Sequence, residues 1–146
     1  MQLVCFLNFK KQIDTAQVDF SPEAKGNILI PRSVIYKSTE YIVTSIEENS
    51  FINNKYIISI SFAPNSKFSI IKRRAFYESS IQSISLPESL EYLEPGWCKV
   101  TPLLNYIKIS PKNKYYSYVD QQMLIDKNNA KKVEIPSFIN RIDHFF

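Results

Sequence analysis

Short apolar pairs separated by one polar residue recur along this chain. Ile60 with Phe62, Ile84 with Leu86 and Ile107 with Ile109 are the clearest, and Ile57, Ile81 or Leu104 stands three residues ahead of each. Extended outward, the first column reads Ile28, Ile60, Ile84, Ile107 and Val133, at intervals of 32, 24, 23 and 26. Two residues on stand Ile30, Phe62, Leu86, Ile109 and Ile135, while the position three earlier relaxes to Lys25 and Ala130 in the outer copies. A period in the twenties is the mark of a solenoid, in which each unit buries its apolar edge only by stacking on its neighbours.

Alternation within each pair sets the facing, because successive side chains of a strand point to opposite sides. Ile84 and Leu86 therefore face in, and Ser83 and Ser85 face out; Ser59, Ser61, Lys108 and Ser110 repeat the outward choice. Such a polar row keeps an exposed sheet face soluble and offers a flat surface to a partner. Pro31, Pro87 and Pro136 follow the last inward residue directly, and Pro64 and Pro111 come one residue later. Proline ends a strand without leaving an unpaired donor.

A second column supports this register. Ile46 leads to Phe51, Ile71 to Phe76 and Leu93 to Cys98, with Trp97 beside it. Between these marks the pattern predicts three hairpins: one from the runs Val4 to Phe9 and Ala16 to Phe20, one over Val34 to Val43, and one over Asn113 to Ala130. The expected fold is mainly β, a right-handed solenoid of four to five repeats. Short parallel strands line one face, turns and short 3₁₀ pieces lie opposite, and a β-hairpin opens the chain. Residues 1–27 read as that N-terminal cap and 28–146 as the repeats, the last one incomplete and uncapped.

Composition narrows the picture further. The 146 residues are 45% hydrophobic, enough for one continuous core. Only two glycines are present, against eight prolines. Cys5 and Cys98 are too few for a disulfide framework and lack metal-ligand spacing, so they read as free or buried thiols. In MQLVCFLNFKKQ the positive charges follow the apolar run instead of preceding it, so it does not read as a signal peptide. No run approaches the roughly 18 apolar residues of a membrane helix, and no membrane insertion is expected.

Candidate chemistry is sparse. His144 is the only histidine and reads as a repeat-surface residue, so neither a hydrolytic triad nor a metal site is expected, and no cofactor is called for. Glu88, Glu91 and Glu94 are three residues apart, but Pro87 and Pro95 bracket them, which reads as a solvated bend. The rival to a protein surface is nucleic acid: Lys72, Arg73 and Arg74 form a basic triplet, and Lys112 and Lys114 precede Tyr115, Tyr116 and Tyr118. A net charge of only +4 argues against it. The candidate partner-binding residues are therefore Ser59, Ser61, Ser83, Ser85 and Lys108 on the strand face, with Tyr36, Tyr41, Tyr115 and Tyr116 as aromatic contacts.

VTSIEENSF (43–51), FAPNSKFSIIKRRAF (62–76) and IQSISLPESLEYLEPGWC (81–98) together resemble the BspA-type leucine-rich repeats of surface proteins in mucosal bacteria and trichomonad-like protists. The opening KGNILIPRSVIYKSTEYIVTSIEENSF is similar to the N-terminal start of such arrays, and NKYYSYVDQQMLIDKNN resembles one of their hairpin-bearing repeats. The likeness covers about Ala16 to Phe146. It implies a leucine-rich-repeat solenoid, used without catalysis for adhesion or protein binding, with host or self surface proteins as partners and the cell surface as location. Self-association through the uncapped last repeat is a further expectation, and the alternative function is an intracellular scaffold or weak nucleic-acid-binding repeat protein. The family often has Gly just after the conserved Ile, where this chain has Glu47, Lys72 and Glu94, so its turns are expected to form without a left-handed residue.

The assigned facing makes a direct prediction. Ile84→Asp places a charge in the core and should unfold the middle of the array, whereas Ser85→Asp should change stability by no more than about 0.5 kcal/mol. Equal destabilisation of the two in urea melts rejects the facing.

Overall fold

The computed structural model describes residues 7–10 and 14–144. Cys5, the start of the Val4 to Phe9 run and Phe146 lie outside the described residues. Within them every regular element is a strand. An N-terminal hairpin pairs β1 (Leu7–Lys10) with β2 (Thr15–Val18). Then β3 (Gly26–Ile30) opens the first coil, and a second hairpin joins β4 (Ser33–Tyr36) to β5 (Thr39–Ile46). Its two-residue turn, Lys37 and Ser38, has φ of 49° and 63°, the left-handed geometry that matches the strand twist of tight hairpins. The coils continue through β6 (Ile57–Phe62), β7 (Ile70–Ile71), β8 (Ser83–Leu86), β9 (Tyr92–Leu93) and β10 (Tyr106–Ile109). A meander of β11 (Tyr116–Val119), β12 (Met123–Asp126) and β13 (Lys131–Lys132) precedes β14 (Arg141–His144).

Each coil gives one strand to each of two sheets. In the first, β3, β6, β8, β10 and β14 run parallel. Its inward column is Ile28, Ile60, Ile84, Ile107 and Ile142, all buried. The expected fifth member, Val133, is thus replaced by Ile142. Val133, Ile135 and Pro136 copy the local pattern of a strand end, but Val133 instead donates its N–H to Leu124 of the meander. The position three residues earlier carries the better signal: buried Ile139 precedes Ile142, as Ile57, Ile81 and Leu104 precede their partners. The second inward column then ends at His144 in place of Ile135. His144 is half-buried, with Nδ1 3.1 Å from the Ile109 carbonyl, and is not a surface residue of a repeat. Ser110, expected to face outward, is buried at the corner after β10.

The second sheet carries Val18, Ile46, Ile71 and Leu93 in register on β2, β5, β7 and β9. The N-terminal hairpin therefore supplies its first parallel rung. Between the two sheets lies one core. Phe51 stacks on Phe76 at 5.2 Å, and Trp97 continues the row by meeting Phe76 edge-on at 6.3 Å. Each fully buried Ile, Leu or Phe contributes roughly 1.5 to 3 kcal/mol before entropy is counted.

Opposite the first sheet the described connections are turns, where short 3₁₀ pieces were also expected. These turns do use left-handed residues. Twelve described non-glycine residues have positive φ, and six turn residues fall in two columns: Asn49, Arg74 and Gly96, then Asn53, Glu78 and Val100. Stacking explains them. The N–H groups of Asn53, Arg74 and Glu78 donate to Tyr77, Gly96 and Lys99 carbonyls of the next coil at 2.9, 3.1 and 3.4 Å.

A left-handed conformation costs an ordinary residue about 1 to 2 kcal/mol, and a β-branched one more. Val100, half-exposed at φ 56°, loses little burial on truncation. Val100→Gly should therefore raise stability by roughly 0.5 to 1 kcal/mol, while Gly96→Ala should lower it, although open space surrounds its added Cβ. Opposite signs in urea melts are the check.

The corrected register is tested separately. Ile142→Ala should cost about 2 to 5 kcal/mol and expose β14 to hydrogen exchange, whereas Val133→Ala should cost about 1 kcal/mol or less. The reverse order restores Val133 to the column.

Candidate protein-binding surface

Side chains that alternate with the buried columns form the outer face of the first sheet. One row crosses the strands through Asn27, Ser59, Ser83, Tyr106 and Arg141. The next contains Leu29 beside Ser61, and Ser85 beside Lys108 and Asp143. Ser59, Ser61, Ser83, Ser85 and Lys108 are all half-buried, so the strand-face candidates come together on one surface. The serines keep its middle flat, between Leu29 on one side and Tyr106 and Arg141 on the other. Ser59 Oγ donates to Asn27 Oδ1 at 2.8 Å, and Lys108 Nζ lies 5.3 Å from the Tyr106 ring centre. At the far edge Arg141 pairs with Asp143, whose carboxyl is held below its usual range by the His144 N–H and by Arg141.

The aromatic candidates separate. Tyr36 is exposed at the tip of the β4–β5 hairpin, with Lys37 Nζ 5.3 Å from its ring centre. Tyr115 is half-buried and lines a depression with Ser66, Lys67 and Glu91. Tyr41 and Tyr116 are each only 3% exposed and present no ring to a partner. Tyr41 shares the inward side of β5 with Val43, because alternation carries it there. Tyr116 points its hydroxyl at the edge of the second sheet, where it accepts the Leu93 N–H at 2.7 Å, and burial pushes its phenol above the ordinary value.

The basic triplet is consumed internally. Lys72 pairs with Glu47 at 2.7 Å, Arg73 with Glu48 at 3.1 Å, and Arg74 lies 4.7 Å from the Tyr77 ring centre. Glu47, which stands where the family often has glycine, and its neighbour Glu48 thus pair with the lysine and arginine of the next coil. Such half-exposed pairs add little stability, but they remove a cationic patch.

Two buried asparagines were missed in the sequence. Asn54 donates Nδ2 to the Ser21 and Ala24 carbonyls and accepts the Tyr56 and Ile57 N–H groups on Oδ1. Asn113 does the same with Pro87, Leu90, Tyr115 and Tyr116. Each saturates a buried corner, and the shared spacing to Ile57 and Tyr116 was the available signal. Cys98 is buried and lines a cavity of about 330 Å³ together with Glu134 and Phe138; burial, then the Glu134 charge, raises its thiol well above the ordinary range.

Parallel strands, inward columns and stacked turns define a leucine-rich-repeat solenoid. The chain belongs to the family of the BspA type leucine rich repeat region, whose model matches six copies over residues 32–146, against the four to five repeats read from spacing. Among solved structures it is similar to "The Crystal structure of Pneumococcal vaccine antigen PcpA", at 15% identity and a TM-score of 0.39, over 94% of this chain and 57% of that one. The chain thus spans 57% of the length of that structure. No curated protein matches it. Family membership makes the chain a repeat module of the protein-interaction class.

Proposed function

We propose that this chain is a non-catalytic binding module that meets a protein partner on the outer face of its first sheet and at the hairpin tips, as an adhesion or surface-antigen repeat. The observation that carries this reading is the pair of neighbouring outward rows on adjacent parallel strands, Ser59 beside Ser83 in one, and Ser61, with Ser85 beside Lys108, in the next. The four serine side chains let a second protein approach the sheet closely, and Lys108 beside Ser85 offers it a positive charge. Tyr36 and Tyr115 remain as aromatic contacts, and Tyr41 and Tyr116 leave the set. Residues 1–27 are proposed as the cap and 28–146 as the repeats, although β2 also serves as a rung. The partners proposed are host or self surface proteins, met at the cell surface.

Pairing of Lys72 and Arg73 with glutamates weighs against the nucleic-acid alternative. Self-association through the last repeat is also less favoured, because the Gln121 carbonyl already accepts the Ile142 N–H on the open side of β14. The test is binding of the purified chain to immobilised extracellular-matrix proteins, to host cells and to RNA. Ser59→Arg with Ser83→Arg should weaken matrix or cell binding by roughly tenfold or more without lowering the melting temperature. Salt-sensitive RNA binding that disappears when Lys72, Arg73 and Arg74 are replaced by Gln overturns the reading.

A further inference from the structure

A groove lies at the carboxyl ends of β6, β8 and β10, and the length of one loop builds it. With Ile60 opposite Ile84 and Ile71 opposite Leu93, the path from Phe62 to Ile71 has two more residues than that from Leu86 to Leu93. Pro64 and Asn65 are exposed in the added length. Phe68 anchors the loop, fully buried with its ring 4.4 Å from that of Phe62, and its N–H donates to Ser66 Oγ at 3.1 Å. The loop is one wall of a cavity of about 550 Å³, which Lys108, Lys112, Glu88 and the hydroxyls of Ser61 and Ser85 also line. Glu88 and Lys112 are shared with an adjoining depression of about 490 Å³, bordered by Lys67, Lys114, Glu91 and Tyr115.

Four lysines that make no ion pair with described residues of their own chain line this groove. Lys72, Arg73 and Arg141 are committed to carboxylates of their own chain. Lys67, Lys108, Lys112 and Lys114 have no such ion pair among the described residues. Four lysines and two glutamates, Glu88 and Glu91, therefore line the two adjoining depressions, with the Lys108 ammonium 5.3 Å from the Tyr106 ring centre. Concave walls reduce solvent screening and strengthen attraction for an anion.

We propose that this groove binds an extended acidic segment of a protein partner. The proposal rests on the reading of the first sheet as a protein-binding face and names the partner's chemistry at one end of it. Side-chain carboxylates of the segment meet the lysines, its backbone meets the serine hydroxyls, and Glu88 takes an N–H or an interspersed cation. Nucleic acid fits less well. Glu88 sits where the two depressions join and repels a continuous phosphate backbone, and Phe62 is already packed on Phe68, which leaves only the half-buried Tyr115 to stack on a base.

The experiment is fluorescence anisotropy of a labelled peptide of alternating aspartate and serine, titrated with the full chain at low and moderate salt. Binding should weaken with salt, and Lys108→Gln with Lys112→Gln should weaken it roughly tenfold. Lys99→Gln with Lys131→Gln removes the same charge from exposed sites elsewhere and should leave affinity within about twofold. Equal loss in the two double variants shows diffuse charge and overturns the groove, as does tighter, Lys108- and Lys112-dependent binding of single-stranded RNA. If the peptide does not bind while matrix binding still falls with Ser59→Arg and Ser83→Arg, the groove is rejected and the protein-binding face stands. If neither behaves as expected, both are rejected.

Discussion

The architecture depends on the hydrogen bonds that each turn makes to the coil stacked upon it. A strand in a parallel sheet finds its partners by register, but a turn has no regular ladder, and its buried N–H and C=O groups still need partners. Here the turns satisfy one another. Phe51 donates to Ala75 and Phe76 to Trp97, alongside the left-handed donors Asn53, Arg74 and Glu78. Successive turns must therefore share one backbone path, positive φ included, whatever residue occupies the place. Asn accepts that conformation readily, whereas Arg, Glu and Val do not. Their presence means that stacking energy outweighs local preference, as expected when a unit is stable only beside its neighbours.

The meander after β10 lies against β9 and β14, the last strands of the two stacked sheets. Tyr116 supplies a hydroxyl to the Leu93 N–H on β9, and Gln121 supplies a carbonyl to the Ile142 N–H on β14. Leu124 is fully buried, and the Tyr118 ring lies 5.1 Å from that of His144. An open strand edge is a template for pairing with another chain, and an inserted hairpin folded across it is one way of blunting that edge. The same insertion moves the fifth strand, because its residues are taken up by β11 to β13 before the coil resumes.

The inward columns of the first four coils were legible because alternation and period agree there with the prolines. The three hairpins were legible as pairs of β-prone runs separated by short, mostly polar stretches that interrupt the period. The fifth coil was not: Val133, Ile135 and Pro136 satisfy the strand pattern locally, and only the pairing of β12 with β13 shows that the insertion is still in progress. The left-handed columns were hidden because Arg, Glu and Val carry no sign of that geometry. Tyr41 and Tyr116 illustrate a further limit, since an aromatic in an inserted hairpin has no copy elsewhere to show its facing. The serine row was readable from alternation, but the groove at its end was not, because a loop two residues longer yields a wall only once the register of neighbouring coils is known.

Repetition and recognition thus make opposite demands on the chain. Every inward residue and every turn donor is constrained by the coil above and below, so these positions converge on Ile, Leu and Phe or on a shared backbone path. The outward positions and the loop lengths escape that constraint, and there the coils differ: Ser59 and Ser83 are matched by Tyr106 and Arg141, and the loop after β6 is longer than the one after β8. Specificity for a partner can reside only where neighbouring coils are free to differ. In this molecule that freedom is greatest across the outer face of the first sheet and at the carboxyl ends of its strands, where Lys67, Lys108, Lys112 and Lys114 gather.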